Sequence, residues 1–320
     1  MNKAVSEHIT TLPSQLDYIN ISRHAYCIIV HTDLYCLQKL VECIDDYRND
    51  IFIHIDKKSN MDLSDIKTRY SAIKILPYEK SYDVRWGTYS QVQTELELLN
   101  FAFENGKYSY FHLISGQDLP LHSQDYIHEY FHNLKRGTNL IGFKDYTIRE
   151  IKNVNKRVTP FHFFKNYYRH RNKFVQYSCR IFEEMMNHIQ LILGLKINYD
   201  IIYRKGCNWA SIHHDFVEYV IAKRQYIDKI LRKSIICDEL LLQTLVWNSD
   251  FKDTVLDYQD EYQGCMREID WKRGNPYTWR KEDFDDLIAS PKLFARKFSS
   301  SEDKNIINMI TSHVLNGNTL

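Results

Sequence analysis

Residues 108–123 read YSYFHLISGQDLPLHS. An aromatic and apolar run over 110–114 stops at Ser115-Gly116-Gln117-Asp118, the way a buried strand ends in a polar loop. In open α/β sheets, ligands bind in the crevice beyond the carboxyl ends of the strands. Gly116 lets the backbone turn or approach a ligand closely, and Asp118 would place a carboxylate at the rim. Glycine and aspartate are also ordinary turn residues, and spacing alone does not separate the two accounts. Pro120 closes the loop, and a helical pattern begins near Ser123.

Upstream, YCIIVH (26–31) reads as a first buried strand. Leu37, Leu40, Val41 and Ile44 then form a helical stripe, IFIHI (51–55) gives a second strand running into Asp56, and 73–76 a short third. This βαββ opening, with His31 and Asp56 at strand ends, fits a nucleotide-binding α/β half. A helix is expected over 91–103 with Ser90 as its N-cap. His54 lies on the core face of its strand by period two. Downstream, 124–134 should be a helix, 140–143 and 199–203 strands, and 213–222 a helix. A short strand over 267–271, a helix over 282–289 and a core-closing segment 293–298 follow, then a terminal amphipathic helix.

One span departs from the rest. Residues 151–182 hold eight Lys or Arg and no Asp or Glu, interleaved with aromatics. Such a pattern suits a polyanion or an anionic membrane surface; the alternative is a solvated helical face with rings packed inward. The expected organisation is an N-terminal tail (1–23), one domain (24–300) with a basic helical insertion at about 146–196, and a C-terminal helix (301–320). At 320 residues the chain can bury a sizeable core.

The 42 basic and 41 acidic residues nearly cancel, which argues against a nucleic-acid partner. Twenty-three tyrosines offer apolar faces with a polar edge, as sugar-handling proteins use. Seven scattered cysteines include no CxxC, so free thiols in a reducing compartment are expected rather than a disulfide framework or zinc site. No apolar run approaches the ~20 residues of a membrane span. A cytoplasmic protein, peripheral at the inner membrane face, is the expectation.

Seven segments, in order, resemble the core-2/I-branching N-acetylglucosaminyltransferases, family 14 of the glycosyltransferases, which includes the peptide xylosyltransferases. They are HIDKK (54–58), VRWGTYSQVQTELELL (84–99), YFHLISGQDLPL (110–121), KGCNWASIHHDFVEYV (205–220), CDELLLQTLVWNS (237–249), REIDWKRGNPYTW (267–279) and SPKLFARKF (290–298). The resemblance implies a GT-A-like α/β fold with a mostly parallel central sheet. It implies inverting transfer from a UDP-sugar, GlcNAc above all, to a glycan or lipid-linked glycan, as in bacterial surface polysaccharide synthesis. A xylosyl- or glucuronosyltransferase, or a binding module without turnover, are the alternatives.

The resemblance also assigns residues. Glu239, in Cys237-Asp238-Glu239, matches the family's general base, although this chain has Cys where the family has Pro. Asp238 would orient the loop or border the acceptor, beside Trp209. Acidic residues at a helix start also have a purely structural explanation, and Trp209 equally suits packing. Lys297 matches the diphosphate lysine, with Arg296 beside it and Arg273 or Arg280 as the arginine partner. His31, Asp56, Arg85, Trp86, Ser90 and Asp118 would line the donor cleft. No metal or other cofactor is implied. The one DxD, Asp283-Phe284-Asp285, falls in an expected surface helix.

Overall fold

The computed structural model describes residues 22–167, 171–195, 197 and 201–317. Most of the expected tail (1–21) and part of the 199–203 strand lie outside them; 201–203 is not a strand. The chain is mixed α/β, as expected. Strands β1 (His24–Val30), β2 (Asn49–Ile55), β3 (Ala72–Ile75) and β4 (Tyr110–Ser115) are parallel. β6 (Ala210–His213) closes the sheet antiparallel to β4, in the order β3-β2-β1-β4-β6. A second sheet joins β5 (Asp118–Pro120), β8 (Phe294–Arg296) and β7 (Arg267–Ile269), in the order β5-β8-β7.

The central strands are continuous apolar runs because both faces are covered. Alternate residues split to either side. Ala25, Cys27, Phe111 and Leu113 pack with Val92, Leu96 and Leu99 of α2 (Tyr89–Glu104). Tyr26, Ile28, Val30 and Ile114 pack with Leu37 and Leu40 of α1 (Leu34–Ile44) and Ile306 and Ile310 of α11 (Lys304–Asn316). Around the sheet lie α3 (Gln124–Asn133), capped by Ser123, α6 (His214–Ala222), α7 (Arg224–Leu231), α8 (Leu241–Trp247), α9 (Glu261–Cys265) and α10 (Phe284–Ala289). Within the basic span stand α4 (Ile148–Val158) and α5 (Lys173–Ile192).

Three local expectations change. Thr88, not Ser90, caps α2: its Oγ1 accepts from Ser90 N at 3.3 Å. The expected strand at 140–143 makes a single bridge, Leu140 with Ser211. Gly116 is not at positive φ; a Cβ there would stand 2.7 Å from Val30 Cγ2, so the missing side chain lets the end of β4 close on β1. All seven cysteines are free, five of them buried.

The core encloses a polar chain. Arg267, fully buried, donates to Ala210 O (3.1 Å), Cys265 O (2.9 Å) and Ser211 Oγ (3.0 Å). His112 bridges Ser211 Oγ (2.8 Å) and His24 (3.0 Å), and His24 stacks on His128 at 4.0 Å. His54, buried as expected, accepts from Tyr82 N at 3.0 Å. Burial pushes all four imidazoles down, His54 to about 4, His128 to about 3, His24 and His112 well below the ordinary value.

Acid should therefore unfold this protein early. Above about pH 6.5 these histidines are neutral in both states; below it the unfolded chain gains protons that the folded chain refuses. Two buried carboxyls, Asp238 and Glu95, are pushed up by burial and work in the opposite sense, but four imidazoles outnumber them. The melting temperature should fall steadily from pH 6.5 towards 4.5, and a flat profile in differential scanning fluorimetry would contradict this account.

Candidate active site

The loops leaving the carboxyl ends of β1, β2 and β4 meet the segment leaving β8. Asp33 ties two of them. It sits in the left-handed region at φ 61, which aspartate tolerates; one carboxylate oxygen accepts from Cys36 N at the start of α1 (3.0 Å) and the other from Ser300 N (2.7 Å). Phe298 N donates to Gln117 O (2.9 Å), which adds the β4 loop. These bonds bring Lys297 beside His31. Burial lowers the His31 imidazole; Asp56 pulls it up, and Lys297 and Lys58 push it down, so all four charges share one place.

Lys58 stands 2.9 Å from Asp83 and 3.9 Å from Asp56. Asp83 in turn pairs with Arg85 (3.1 Å), whose N–H donates to Ser90 Oγ (2.9 Å). The structure thus joins His31, Asp56, Arg85 and Ser90 in one charged wall, with Trp86 exposed on the same loop. Lys297 forms no ion pair among the described residues.

Arg296 lies mostly buried, its guanidinium over the Trp209 ring at 4.6 Å. Its Nε and Nη1 are buried without a hydrogen-bond partner. Asp118 is not at the rim. It is fully buried, accepts from Ser115 N (3.0 Å) and Ser115 Oγ (2.6 Å), and faces Arg296 Nε at 3.7 Å across the β5–β8 register. Its carboxylate is turned towards Arg296 rather than to solvent.

The arginine candidates differ. Arg273 is clamped between Asp270 and Asp283 (2.6 Å to the latter) and stacks on Tyr277 at 4.0 Å. Both ends of its guanidinium are thus engaged by carboxylates. Among the described residues Arg280 pairs only with Glu302 at 3.1 Å, an exposed pair of the kind worth at most about 1 kcal/mol. Trp279 N donates to Lys297 O (3.0 Å), so Arg280 follows directly on a residue bonded to Lys297. Asp283 of the DxD is buried rather than on a surface helix: it accepts from Arg273 and from Arg280 N (2.9 Å).

Glu239 follows Asp238 in a 3-10 turn (Asp238–Leu240) ahead of α8. Its Oε2 meets Arg157 at 2.7 Å and Lys205 at 3.4 Å; Oε1 takes no hydrogen bond among the described residues. Arg157 comes from α4, so one cation at the start of the basic span is turned to Glu239. Gly206 N holds Glu239 O at 3.0 Å, and a Cβ on Gly206 would collide with Gly142 O at 1.9 Å.

Asp238 is buried. Its Oδ2 accepts from Gln91 of α2 (2.9 Å), and burial, then the Glu239 charge, push it up to about 7. Ile236 adopts φ 49, a strained conformation for a β-branched residue and one that concentrates at functional sites. It persists because Ile236 N donates to Gly87 O (2.9 Å). That bond couples the Arg85–Trp86 loop to the Glu239 loop. Sequence reasoning missed Arg157, Lys205 and Lys58; a basic residue three-dimensionally opposite a carboxylate leaves no mark in spacing.

The family model described as Core-2/I-Branching enzyme matches residues 24–294. The chain belongs to this family. It is thereby a member of a glycosyltransferase family with a GT-A-like fold. Curated relatives include xylosyltransferase 2 of Canis lupus familiaris and of Homo sapiens, each 22% identical over 316 residues, 91% of this chain and 34% of theirs. Xylosyltransferase sqv-6 of Caenorhabditis elegans is 23% identical over 277 residues, 79% of this chain and 31% of its own. The chain thus spans about a third of the length of the curated relatives it matches.

Proposed function

We propose that this Core-2/I-Branching family member transfers a sugar from a UDP-sugar to a hydroxyl of a glycan acceptor, with inversion and without a metal ion. What supports this most is the pair of cations at the end of β8: Lys297, without an ion-pair partner among the described residues, and Arg296, whose Nε and Nη1 are buried without a hydrogen bond, at the end of a strand in the small mixed sheet. Unpartnered buried donors are costly, and an oxyanion leaving group would satisfy them. Arg280 joins them when it leaves Glu302. Glu239 takes the acceptor proton on Oε1, the acceptor oxygen attacks the anomeric carbon, and the bond to UDP breaks with its charge falling on the cations. Arg157 and Lys205 keep the carboxylate in register through Oε2.

For the donor, GlcNAc suits the family's branching enzymes, whereas the names of the relatives favour xylose. A donor screen reading UDP release in the presence of EDTA tests the proposal. Release from one UDP-sugar that persists with EDTA is expected. No release from any donor would favour a binding module, and loss with EDTA restored by a divalent cation would contradict the role given to Lys297.

A lipid-linked acceptor in surface polysaccharide synthesis is supported by α5. This helix turns its polar side inward: Glu183 bonds His162 (2.7 Å) and the backbone of Phe164 (2.9 Å), and Gln190 bonds Phe161. Phe174, Tyr177, Ile181, Met185 and Ile192 stay exposed at helical spacing, with Lys173 at the helix start. That is the arrangement of a helix lying in a membrane interface. The contact is the apolar face of α5, which starts inside the basic span and runs past its end to Ile192. No helix of the described residues is long and apolar enough to cross a membrane. The doubly substituted Ile181→Asp, Met185→Asp protein should lose co-sedimentation with anionic vesicles; unchanged binding would reject the contact.

A further inference from the structure

A second cavity, of about 610 Å³, opens between the segment after Lys144, the end of α8 and the 252–259 stretch. This volume is typical of small-ligand sites. Arg204 projects into it while only 5% exposed. Its guanidinium lies 3.9 Å from the Trp247 ring centroid, 4.5 Å from Tyr146 and 5.2 Å from Phe143. Among the described residues it makes no hydrogen bond and no ion pair, although Asp145 and Asp253 line the same cavity. Lys252 adds a second cation, 3.9 Å from Trp247.

A buried guanidinium held only by ring faces keeps its planar donor fork unused, and that fork matches a carboxylate bidentately. A bare anion would not need the rest of the lining. Aromatic faces suit the apolar side of a pyranose, and the two carboxylates accept hydrogen bonds from sugar hydroxyls. A lipid phosphate brings more negative charge against Asp145 and Asp253 than a single uronate carboxylate does, and an acidic peptide offers the rings no pyranose face. The cavity is also next to the reaction centre in the chain: Arg204 precedes Lys205, which reaches Glu239, and Lys144 N donates to Lys205 O at 2.8 Å.

We propose that this cavity is an acceptor subsite for a uronic acid residue, so that the glycan modified is an acidic one. The proposal rests on the glycan-transfer reading above. Arg204 grips the carboxylate, Trp247 and Tyr146 border the ring, and Lys252 favours the negative charge from the rim.

Calorimetric titration of the intact protein, with UDP present, tests it with three probes: a uronate-containing oligosaccharide, its neutral counterpart and a sugar phosphate. The uronate should bind at least about tenfold tighter than the neutral sugar, as expected for one charged hydrogen-bonded group. Arg204→Gln should abolish that preference, and Lys252→Ala, at an exposed position, should weaken it a few-fold. Retained UDP binding reports that each variant is folded. Equal affinity for acidic and neutral sugars, a tighter sugar phosphate, or an Arg204→Gln protein that keeps both UDP binding and the preference would each overturn the proposal. If wild type binds the uronate but releases no UDP from any donor, the transfer reading fails and the subsite stands.

Discussion

Glu239→Gln lowers kcat by about 10²–10⁴-fold, the range that a positioned general base contributes, while UDP affinity changes little. Glutamine keeps the size of the side chain and an oxygen for Arg157 and Lys205, which hold Oε2 at 2.7 Å and 3.4 Å. It removes only the capacity to take a proton. Glu239 and Lys297 stand on different elements with different partners, so UDP release assays and UDP binding by calorimetry separate the two functions. Should the variant retain full activity, the base lies elsewhere. Asp238, pushed up to about 7 by burial and by the Glu239 charge, would be the next carboxyl to test, although its bond to Gln91 and its burial place it behind the reacting face.

The second large effect belongs to Lys297. Lys297→Ala should cost about 10²–10³-fold in kcat, by analogy with removal of a single oxyanion-stabilising donor, and should also weaken UDP binding. The ammonium has no ion pair among the described residues, so its removal leaves no orphaned carboxylate and little change in stability is expected. The fold around it is fixed by backbone bonds: Lys297 N to Tyr277 O at 3.3 Å, Trp279 N to Lys297 O at 3.0 Å and Phe298 N to Gln117 O at 2.9 Å. The pH profile of UDP binding should shift as well, because His31 loses a neighbouring cation that holds it down. A loss of less than about threefold would remove Lys297 from the mechanism.

Much of this was legible in the chain. The run 110–114 ended in a polar loop because a doubly covered strand must be apolar until it leaves the sheet, and β4 ends at Ser115. The period of 3.6 found α1, α2 and α11 because one face of each packs on that sheet. His31 and Asp56 were placed at strand ends by the same logic. Less legible were the roles of acidic residues. Asp118 and Asp283 looked exposed because aspartate usually is; each is buried because an arginine, Arg296 or Arg273, comes to meet it from elsewhere. The expected strand at 140–143 formed one bridge, Leu140 with Ser211, on the edge of β6 away from β4.

Local chemistry alone determined the parallel α/β core, the loops that end its strands and the segments that identify the family, since hydrophobic period and turn residues act over a few positions along the chain. Tertiary structure alone decided which charges meet. Arg157 reaches Glu239 across 82 positions, and Ser300 reaches Asp33 across 267. Coulomb attraction and hydrogen bonding depend on distance in space, and only the folded chain sets that distance.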